Sequence, residues 1–181
     1  MGGVDKSALT RDGVSLLART CYALDAATSI VVVGHSTAID VPARVKFALE
    51  DPPFGGPAAG IGAGLHALEE SAEPLVVVLA CDLPYVDRAL PHVLATPISA
   101  ASDGVMVVDE DGRRQTLLGL YRRAALVSAA MTLGSLTGVA VRALVAGLIL
   151  EEIALPNEAL RDVDRWADAR ELGVEGGTDG T

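Results

Sequence analysis

The sequence predicts an α/β fold with a mostly parallel β-sheet and one antiparallel hairpin. Short aliphatic runs alternate along the chain with segments of helical periodicity, which is typical of the strands and helices of α/β proteins. Residues 29–34 and 75–81 are continuously apolar, as expected for strands buried on both faces of a sheet. An aspartate-glycine pair at 111–112 separates two further apolar runs and indicates a hairpin turn.

The same patterns give the order of the elements. Aliphatic runs predict strands at residues 29–34, 45–49, 75–81, 104–108, 115–121 and 149–155. Apolar residues spaced three and four apart predict helices at 12–27, 58–70, 124–131, 139–148 and 165–172, and one from about residue 86. The chain has the length of a single domain, at 181 residues. We place that domain at 1–172 and a disordered, glycine-rich acidic tail at 173–181.

The composition excludes several classes of function. The chain has a net charge of −10 and a pI near 4.6, so its acidic surface repels nucleic-acid phosphates. Only 3% of its residues are aromatic, which leaves few side chains on which bases could stack. Mean hydropathy is high, at +0.40, yet the most apolar segment is 12 residues long (139–150), which is too short to cross a bilayer. The N-terminus has no apolar signal segment, and two cysteines make neither a disulfide framework nor a metal cluster. We therefore expect a cytoplasmic globular protein with no nucleic-acid or membrane partner.

Two charged residues are candidates for phosphate chemistry. Asp82 directly follows the run at 75–81, which is the strongest strand prediction and the one expected to be most buried. Ligands of α/β sheets bind beyond the carboxyl ends of strands, and Mg²⁺ prefers one or two carboxylates together with substrate phosphates. Asp82 is equally well interpreted as the cap of the following helix. Lys6 follows two glycines and is either a point donor to phosphate or an ordinary surface lysine.

The proline- and glycine-rich segment at 52–57 predicts a loop after Asp51, because neither helix nor strand tolerates that run. Backbone amides at the start of the next helix are candidates to face a phosphate or a base edge. Gly60, Gly62 and Gly64 do not match a dinucleotide-binding fingerprint, because its third glycine position is Leu65. The chain also lacks a P-loop motif.

Asp162 and Asp164 are two residues apart near the last predicted strand, so their side chains lie on one face of an extended segment. They either share a site or are both solvated. The histidines have no spacing that suggests a shared metal, and no serine lies in a nucleophile-elbow setting.

Five segments, in order and spacing, resemble the MobA-like nucleotidyltransferases, which are the molybdenum cofactor guanylyltransferases and their close relatives. The segments are MGGVDKSAL, EDPPFGGPAAGIGAGL, ACDLPYV, RRQTLLGLYRR and the late DVD. The resemblance extends from Met1 to about Leu172. It implies a Rossmann-like three-layer α/β/α sandwich. It also implies transfer of a nucleoside monophosphate from an NTP to the phosphate of molybdopterin, with Mg²⁺ as cofactor and pyrophosphate released.

The resemblance implies roles for individual residues. Lys6 matches the lysine that follows the family's glycine loop, and Asp82 matches the Mg²⁺-binding aspartate of its C-D-x-P motif, so these two are the expected catalytic residues. Gln115 falls where the family has a polar residue before the second hairpin strand, and Asp162 and Asp164 match a late asparagine or aspartate pair. The expected metal ligands are Asp82 and Asp164. The expected nucleotide-binding residues are Lys6, Asp51, Gly56, Pro57, Gly60 and Asp82.

The sequence departs from the family pattern at three places. It begins inside the glycine-loop signature, so we expect the family's first strand and LAGG loop to be missing. Gly34-His35 replaces an expected asparagine, and DVDRW replaces N-x-N-T-P. Within this resemblance, the GPAAG segment favours guanine over cytosine, so the expected reaction is transfer of GMP from GTP to molybdopterin. We expect the protein to be a monomer or a weak homo-oligomer. The alternatives are a cytidylyl or other small-acceptor nucleotidyltransferase, or a non-catalytic truncated family member.

Overall fold

The computed structural model describes residues 6–34, 40–163 and 166–176. The strands are β1 (Thr10–Arg11), β2 (Val14–Ser15), β3 (Ile30–Val33), β4 (Val45–Ala48), β5 (Leu75–Leu79), β6 (Gly104–Val108), β7 (Arg114–Arg122), β8 (Leu150–Ala154) and β9 (Val174–Glu175). The helices are α1 (Leu16–Ala23), α2 (Pro57–Ala67), α3 (Val86–Ala95), α4 (Arg123–Leu133), α5 (Val141–Leu144), α6 (Asn157–Leu160) and α7 (Trp166–Glu171), with a 3₁₀ turn at Lys6–Ala8. The alternation of strands and helices confirms the predicted α/β class.

The strands form mixed sheets, so the expectation of a mostly parallel sheet is only partly confirmed. The largest sheet has the order β5-β7-β6-β8, in which β6 and β8 are parallel and the other two pairs are antiparallel. Strands β3 and β4 form a separate parallel pair, and β2-β1-β9 form a small antiparallel sheet. The reason is the position of β7: this return strand of the hairpin lies between β5 and β6 and runs opposite to both.

The hairpin of β6 and β7 is confirmed, and its turn is stabilised by the predicted residues. Gly112 adopts a φ of 76°, a conformation that glycine reaches without steric cost. The Asp109 Oδ1 accepts a hydrogen bond from the Arg113 backbone N–H at 2.8 Å. These local contacts explain why a short sequence signal located the turn correctly.

Helices cover both faces of this hairpin and enclose the core. On one face Val107 belongs to a buried cluster with Leu90 of α3. On the opposite face Met106 and Tyr121 belong to a cluster with Leu126 of α4. Burial of the phenol raises the pKa of Tyr121 to about 12, so this side chain is a neutral part of the core.

The most deeply buried strand is β6, not β5 as the sequence predicted. Val105, Met106 and Val107 have no exposed surface, whereas residues 76–79 of β5 are only half-buried. Within the described residues, strand β6 pairs along both edges, with β7 and β8, while β5 pairs along one edge with β7. Strand β5 is therefore less buried than its aliphatic sequence predicts.

Both ends of the chain differ from expectation. Helix α1 begins at Leu16, and the preceding residues form the β1–β2 turn. Residues 173–181 were expected to be a tail, yet Val174 is buried and pairs with Arg11 in the small sheet. A single apolar residue among glycines gave no periodic signal, which is why β9 was missed. Residues 177–181 lie outside the described part of the chain. No helix in the described ranges is long and apolar enough to span a membrane.

Candidate active site

Lys6 and Asp82, the two residues expected to be catalytic, lie next to each other. The Lys6 Nζ donates a hydrogen bond to the Asp82 Oδ2 at 3.3 Å, across 76 residues of sequence. The two side chains are 30% and 22% exposed, so the ion pair retains access to solvent and to a ligand. The structure therefore joins two residues that the sequence singled out separately.

The chain bends directly after Asp82, and its neighbours hold the bend in place. The Arg11 Nη1 donates to the Pro84 carbonyl oxygen at 3.1 Å, and the Arg11 guanidinium lies 4.2 Å from the centroid of the Tyr85 ring. Helix α3 has Tyr85 as its N-cap residue and no side-chain capping hydrogen bond. The interpretation of Asp82 as the cap of this helix is therefore wrong, and its carboxylate faces Lys6 instead.

A cavity of about 980 Å³ opens beside this ion pair, between β3 and β5. Most of its lining is aliphatic, and polar residues line it at both ends. Ser29, Ser71, Glu73 and Arg123 lie where β3 and β5 begin, and the residues where β3, β4 and β5 end are Lys6, Gly34, Glu50, Pro57, Gly60 and Asp82. The carboxyl ends of strands are where α/β sheets bind their ligands, so this end of the cavity is the candidate site.

The start of helix α2 forms one wall of the site. Gly56 precedes the helix with a φ of 91°, and Pro57 occupies the first turn, where its missing N–H costs nothing. The Glu50 Oε2 accepts a hydrogen bond from the Gly55 N–H at 3.2 Å. A Cβ at position 60 would lie 3.3 Å from the Glu50 Oε1, so Gly60 leaves room for that carboxylate. N–H groups in the first turn of a helix are donors to a phosphate or to a base edge, so this wall suits a nucleotide.

Asp51 occupies a different position from its neighbour Glu50. Asp51 is exposed, whereas Glu50 lines the cavity. The assignment of Asp51 to nucleotide binding therefore stays a prediction, and Glu50 is a site residue that the sequence reasoning missed. Two adjacent acids in a loop have no periodicity, so no local pattern indicates which of them faces inward.

A second cavity, of about 220 Å³, also borders on Asp82. Asp82, Ala80 and Leu117 line both cavities, which places the Asp82 carboxylate at their boundary. The polar residues lining the smaller cavity include Asp82, Arg114, Gln115, Thr116 and Asp162. The arrangement offers two neighbouring binding spaces with one acidic residue between them.

Two polar side chains of the smaller cavity are held by hydrogen bonds. The Arg114 Nε donates to the Glu152 Oε1 at 2.7 Å, and the Gln115 Nε2 donates to the Asp109 Oδ2 at 3.2 Å. Gln115 lies inside β7, one residue after its start, rather than before the strand. The sequence analysis did not identify Arg114 as a site residue. The signal that was available is its place in a pair of arginines directly after the aspartate-glycine turn.

The acidic groups at the boundary suit a hard cation. The Val163 N–H donates to the Asp82 main-chain oxygen at 3.3 Å, which brings the segment of Asp162 to this corner. Asp164 lies outside the described residues. Within the described ranges no group of three or more histidine, cysteine or acidic side chains could hold a metal by itself. Asp82 and Asp162 offer carboxylate oxygens, which fit Mg²⁺ because that ion takes one or two carboxylates and completes its shell with phosphates and water.

Comparison with known sequences identifies relatives of this chain. Residues 1–151 match the family model of the MobA-like NTP transferase domain. The molybdenum cofactor guanylyltransferase of Pseudomonas syringae pv. syringae (strain B728a) is 32% identical over 123 residues, which cover 66% of this chain and 60% of that enzyme. The chain therefore spans about 60% of the length of this curated relative.

Solved structures share the fold at low sequence identity. The 2-C-methyl-D-erythritol 4-phosphate cytidylyltransferase of Thermus thermophilus is 19% identical with a TM-score of 0.62, over 93% of this chain and 91% of that one. The molybdopterin-guanine dinucleotide biosynthesis protein A of Archaeoglobus fulgidus is 18% identical with a TM-score of 0.58, over 94% and 90%. These likenesses establish the α/β fold.

Proposed function

Since the chain belongs to the MobA-like NTP transferase family, we propose that it transfers GMP from GTP to the phosphate of molybdopterin and releases pyrophosphate. The guanylyltransferase relative, 32% identical, supports this choice of nucleotide and acceptor. A monomeric or weakly associated, cytoplasmic state belongs to the same proposal.

The observation that carries the proposal is the position of Asp82 and Lys6 where two cavities meet. A group-transfer enzyme must hold two substrates with their reacting atoms in contact, because positioning supplies much of the rate. The larger cavity, with its helix N-terminus, suits the nucleotide, and the smaller one suits the acceptor. The shared border at Asp82 is where the acceptor phosphate would meet the α-phosphate of the nucleotide.

Each residue has a definite task in this reaction. An oxygen of the acceptor phosphate attacks the α-phosphorus, a new P–O bond forms, and the bond to the pyrophosphate oxygen breaks. The Lys6 ammonium neutralises charge that accumulates on the leaving pyrophosphate. Backbone groups from Gly55 to Gly60, together with Asp51, hold the base and ribose. Gln115, and Arg114 oriented by Glu152, bind polar groups of the acceptor.

Magnesium completes the proposed site. Asp82 would hold the ion, with Asp162 or Asp164 as an additional ligand, and bound Mg²⁺ would neutralise phosphate charge during the transfer. The carboxylates of Asp82 and Asp162 at the smaller cavity support this assignment. The three-layer α/β/α sandwich of the family is also proposed here, and the helices packed on both faces of β6 and β7 support it.

Asp82→Asn tests the assignment of the central carboxylate. The change is nearly isosteric but removes the charge that pairs with Lys6 and would hold the cation, so we expect turnover to fall about 100-fold or more. Pyrophosphate release from GTP, molybdopterin and Mg²⁺ measures it, and circular dichroism checks the fold. The matched control is Asp87→Asn, an exposed carboxylate five residues later, which should stay within about twofold of the parent rate. Equal rates for the two variants would falsify the role of Asp82.

Base preference is tested separately by calorimetric titration with GTP, CTP and ATP in the presence of Mg²⁺. We expect GTP to bind most tightly, because the GPAAG segment and the guanylyltransferase relative both favour guanine. Binding of CTP with equal or higher affinity would contradict the guanylyl assignment and support a cytidylyl relative.

A further inference from the structure

Strand β7 bulges where it passes the smaller cavity. Met106 and Val107 are adjacent in β6, yet they pair with Gly119 and Gln115 of β7. Residues 116–118 of β7 therefore lie between the partners of two adjacent β6 residues, and we call these three residues the bulge. A bulge bends its strand and redirects side chains, and bulges occur often next to active sites.

The bulge and the two residues before it form a wall of the smaller cavity. Residues 114–118 line this cavity one after another. The Ala80 N–H donates a hydrogen bond to the Leu117 carbonyl oxygen at 2.9 Å, which attaches the bulge to the end of β5. Arg114 and Gln115 directly precede the bulge, so its conformation determines where these two side chains lie.

The Tyr121 side chain contacts the bulge from inside the core. Its hydroxyl donates a hydrogen bond to the Thr116 carbonyl oxygen at 3.3 Å, five residues earlier in the same strand. The hydroxyl also lies 3.9 Å from the Met106 Sδ, which is a weaker acceptor than a carbonyl oxygen. Tyr121 is 1% exposed, and burial raises its pKa to about 12, so the hydroxyl is a protonated donor at neutral pH. One hydrogen bond thus joins the bulge to a buried ring.

Gly119 makes this contact possible. Residues two apart in a strand share a face, so the Tyr121 side chain lies on the same face as position 119. A Cβ at position 119 would lie 2.8 Å from the Tyr121 hydroxyl oxygen and 2.9 Å from two of its ring carbons. Because glycine has no side chain, the ring lies against the β7 backbone and reaches toward Thr116. A glycine inside a strand marks a close approach of this kind.

We propose that Tyr121 is a positioning residue for the acceptor: its hydroxyl holds the bulge in place and thereby fixes Arg114 and Gln115 in the smaller cavity. The inference rests on the proposed function for the identity of the acceptor, whereas the contact with the bulge rests on the geometry alone. Tyr121 lines neither cavity, so it acts through the bulge and does not touch a substrate. The start of α2, which forms the wall assigned to the nucleotide, is a separate element. Loss of the hydroxyl should therefore weaken acceptor binding and leave GTP binding intact.

Tyr121→Phe tests this role because it removes the hydroxyl and keeps the ring. Pyrophosphate release measures the KM for molybdopterin and for GTP, and we expect the first to rise about tenfold and the second to stay within about twofold. The matched control is Ser102→Ala, which removes a buried hydroxyl that donates to the Gly104 carbonyl oxygen at 2.8 Å, before the start of β6. It should lower Tm about as much as Tyr121→Phe does and leave both KM values within about twofold.

Hydrogen exchange tests the bulge without any substrate. Exchange in residues 114–118 should be about tenfold faster in Tyr121→Phe than in the parent, whereas exchange in α3 should be unchanged. Unchanged exchange in residues 114–118 would overturn the proposal. An unchanged acceptor KM, or equal rises of both KM values, would overturn it as well. If the parent releases no pyrophosphate from these substrates, the proposed function fails, and exchange in residues 114–118 alone then decides whether Tyr121 holds the bulge.

Discussion

Two alanine substitutions in helix α2, Gly60→Ala and Gly64→Ala, should change stability in opposite directions. Both replace a glycine inside a helix, and the change from glycine to alanine by itself stabilises a helix by about 0.5–1 kcal/mol. At position 64 the new Cβ lies 3.4 Å from the Val33 Cγ2, which is an ordinary contact. Gly64→Ala should therefore raise the free energy of unfolding by about that amount.

At position 60 the new methyl group meets a charged hydrogen-bond acceptor. It lies 3.3 Å from the Glu50 Oε1, and the other Glu50 oxygen accepts the hydrogen bond from Gly55. The carboxylate must shift by a few tenths of an ångström, which weakens a hydrogen bond that is already 3.2 Å long, and a hydrogen bond to a charged group contributes about 1.5–3 kcal/mol. After the helix gain is subtracted, Gly60→Ala should lower the free energy of unfolding by about 1–2 kcal/mol.

Urea denaturation at constant slope measures both variants, and their difference should be about 2 kcal/mol. A double variant separates the causes: in a Glu50→Ala background the carboxylate is gone, so Gly60→Ala should stabilise as Gly64→Ala does. If Gly60→Ala stabilises the parent chain as much as Gly64→Ala, then Glu50 does not hold the start of α2, and the wall of the candidate site is misassigned.

Two further predictions concern the core and the surface. Leu126→Ala removes a fully buried side chain of α4 and should lower the free energy of unfolding by about 2–5 kcal/mol. The control is Met131→Ala on the same helix, where the side chain is 77% exposed and the free energy of unfolding should change by less than about 0.5 kcal/mol. Urea denaturation of the two variants measures both values. Arg161 donates hydrogen bonds to Glu171 at 2.8 and 2.6 Å, which lower the pKa of that carboxyl in the folded chain. The pair therefore stabilises the fold above the ordinary glutamate pKa and loses this contribution as pH falls through the lowered value, so Glu171→Gln should flatten the acid side of the Tm profile between pH 7 and 3. An acid limb unchanged by Glu171→Gln would show that the pair contributes nothing.

Local patterns predicted the elements whose structure depends on near neighbours in sequence. An aspartate-glycine pair predicted the β6–β7 hairpin, and the helical spacing of apolar residues predicted most of α2. The small β2-β1-β9 sheet could not be predicted, because its strands are two residues long and Val174 pairs with Arg11 from the far end of the chain. A contact between residues so far apart in the chain produces no pattern within a short stretch of sequence.

The candidate site shows the same division. From the residues alone, Lys6 and Asp82 each had a plain structural alternative, and only the family resemblance selected them. Their ion pair spans 76 residues, so only the fold brings the two charges to 3.3 Å. Glu50 lies next to Asp51 in an aperiodic loop, and the hydrogen bond that Glu50 accepts from the Gly55 N–H forms only in the folded loop.

Strands β3, β5 and β6 have similar aliphatic sequences and very different burial. Strand β6 is hydrogen-bonded on both edges and is almost wholly buried, whereas β3 and β5 each have one paired edge in the described ranges and are largely half-buried. Composition does not explain the difference, because IVVV and LVVVL are as apolar as GVMVV. A continuous apolar run is typical of a strand with neighbours on both edges and layers on both faces. Strands β3 and β5 are therefore less buried than their sequences predict, because burial depends on the neighbours that the fold supplies at each edge and not on composition alone.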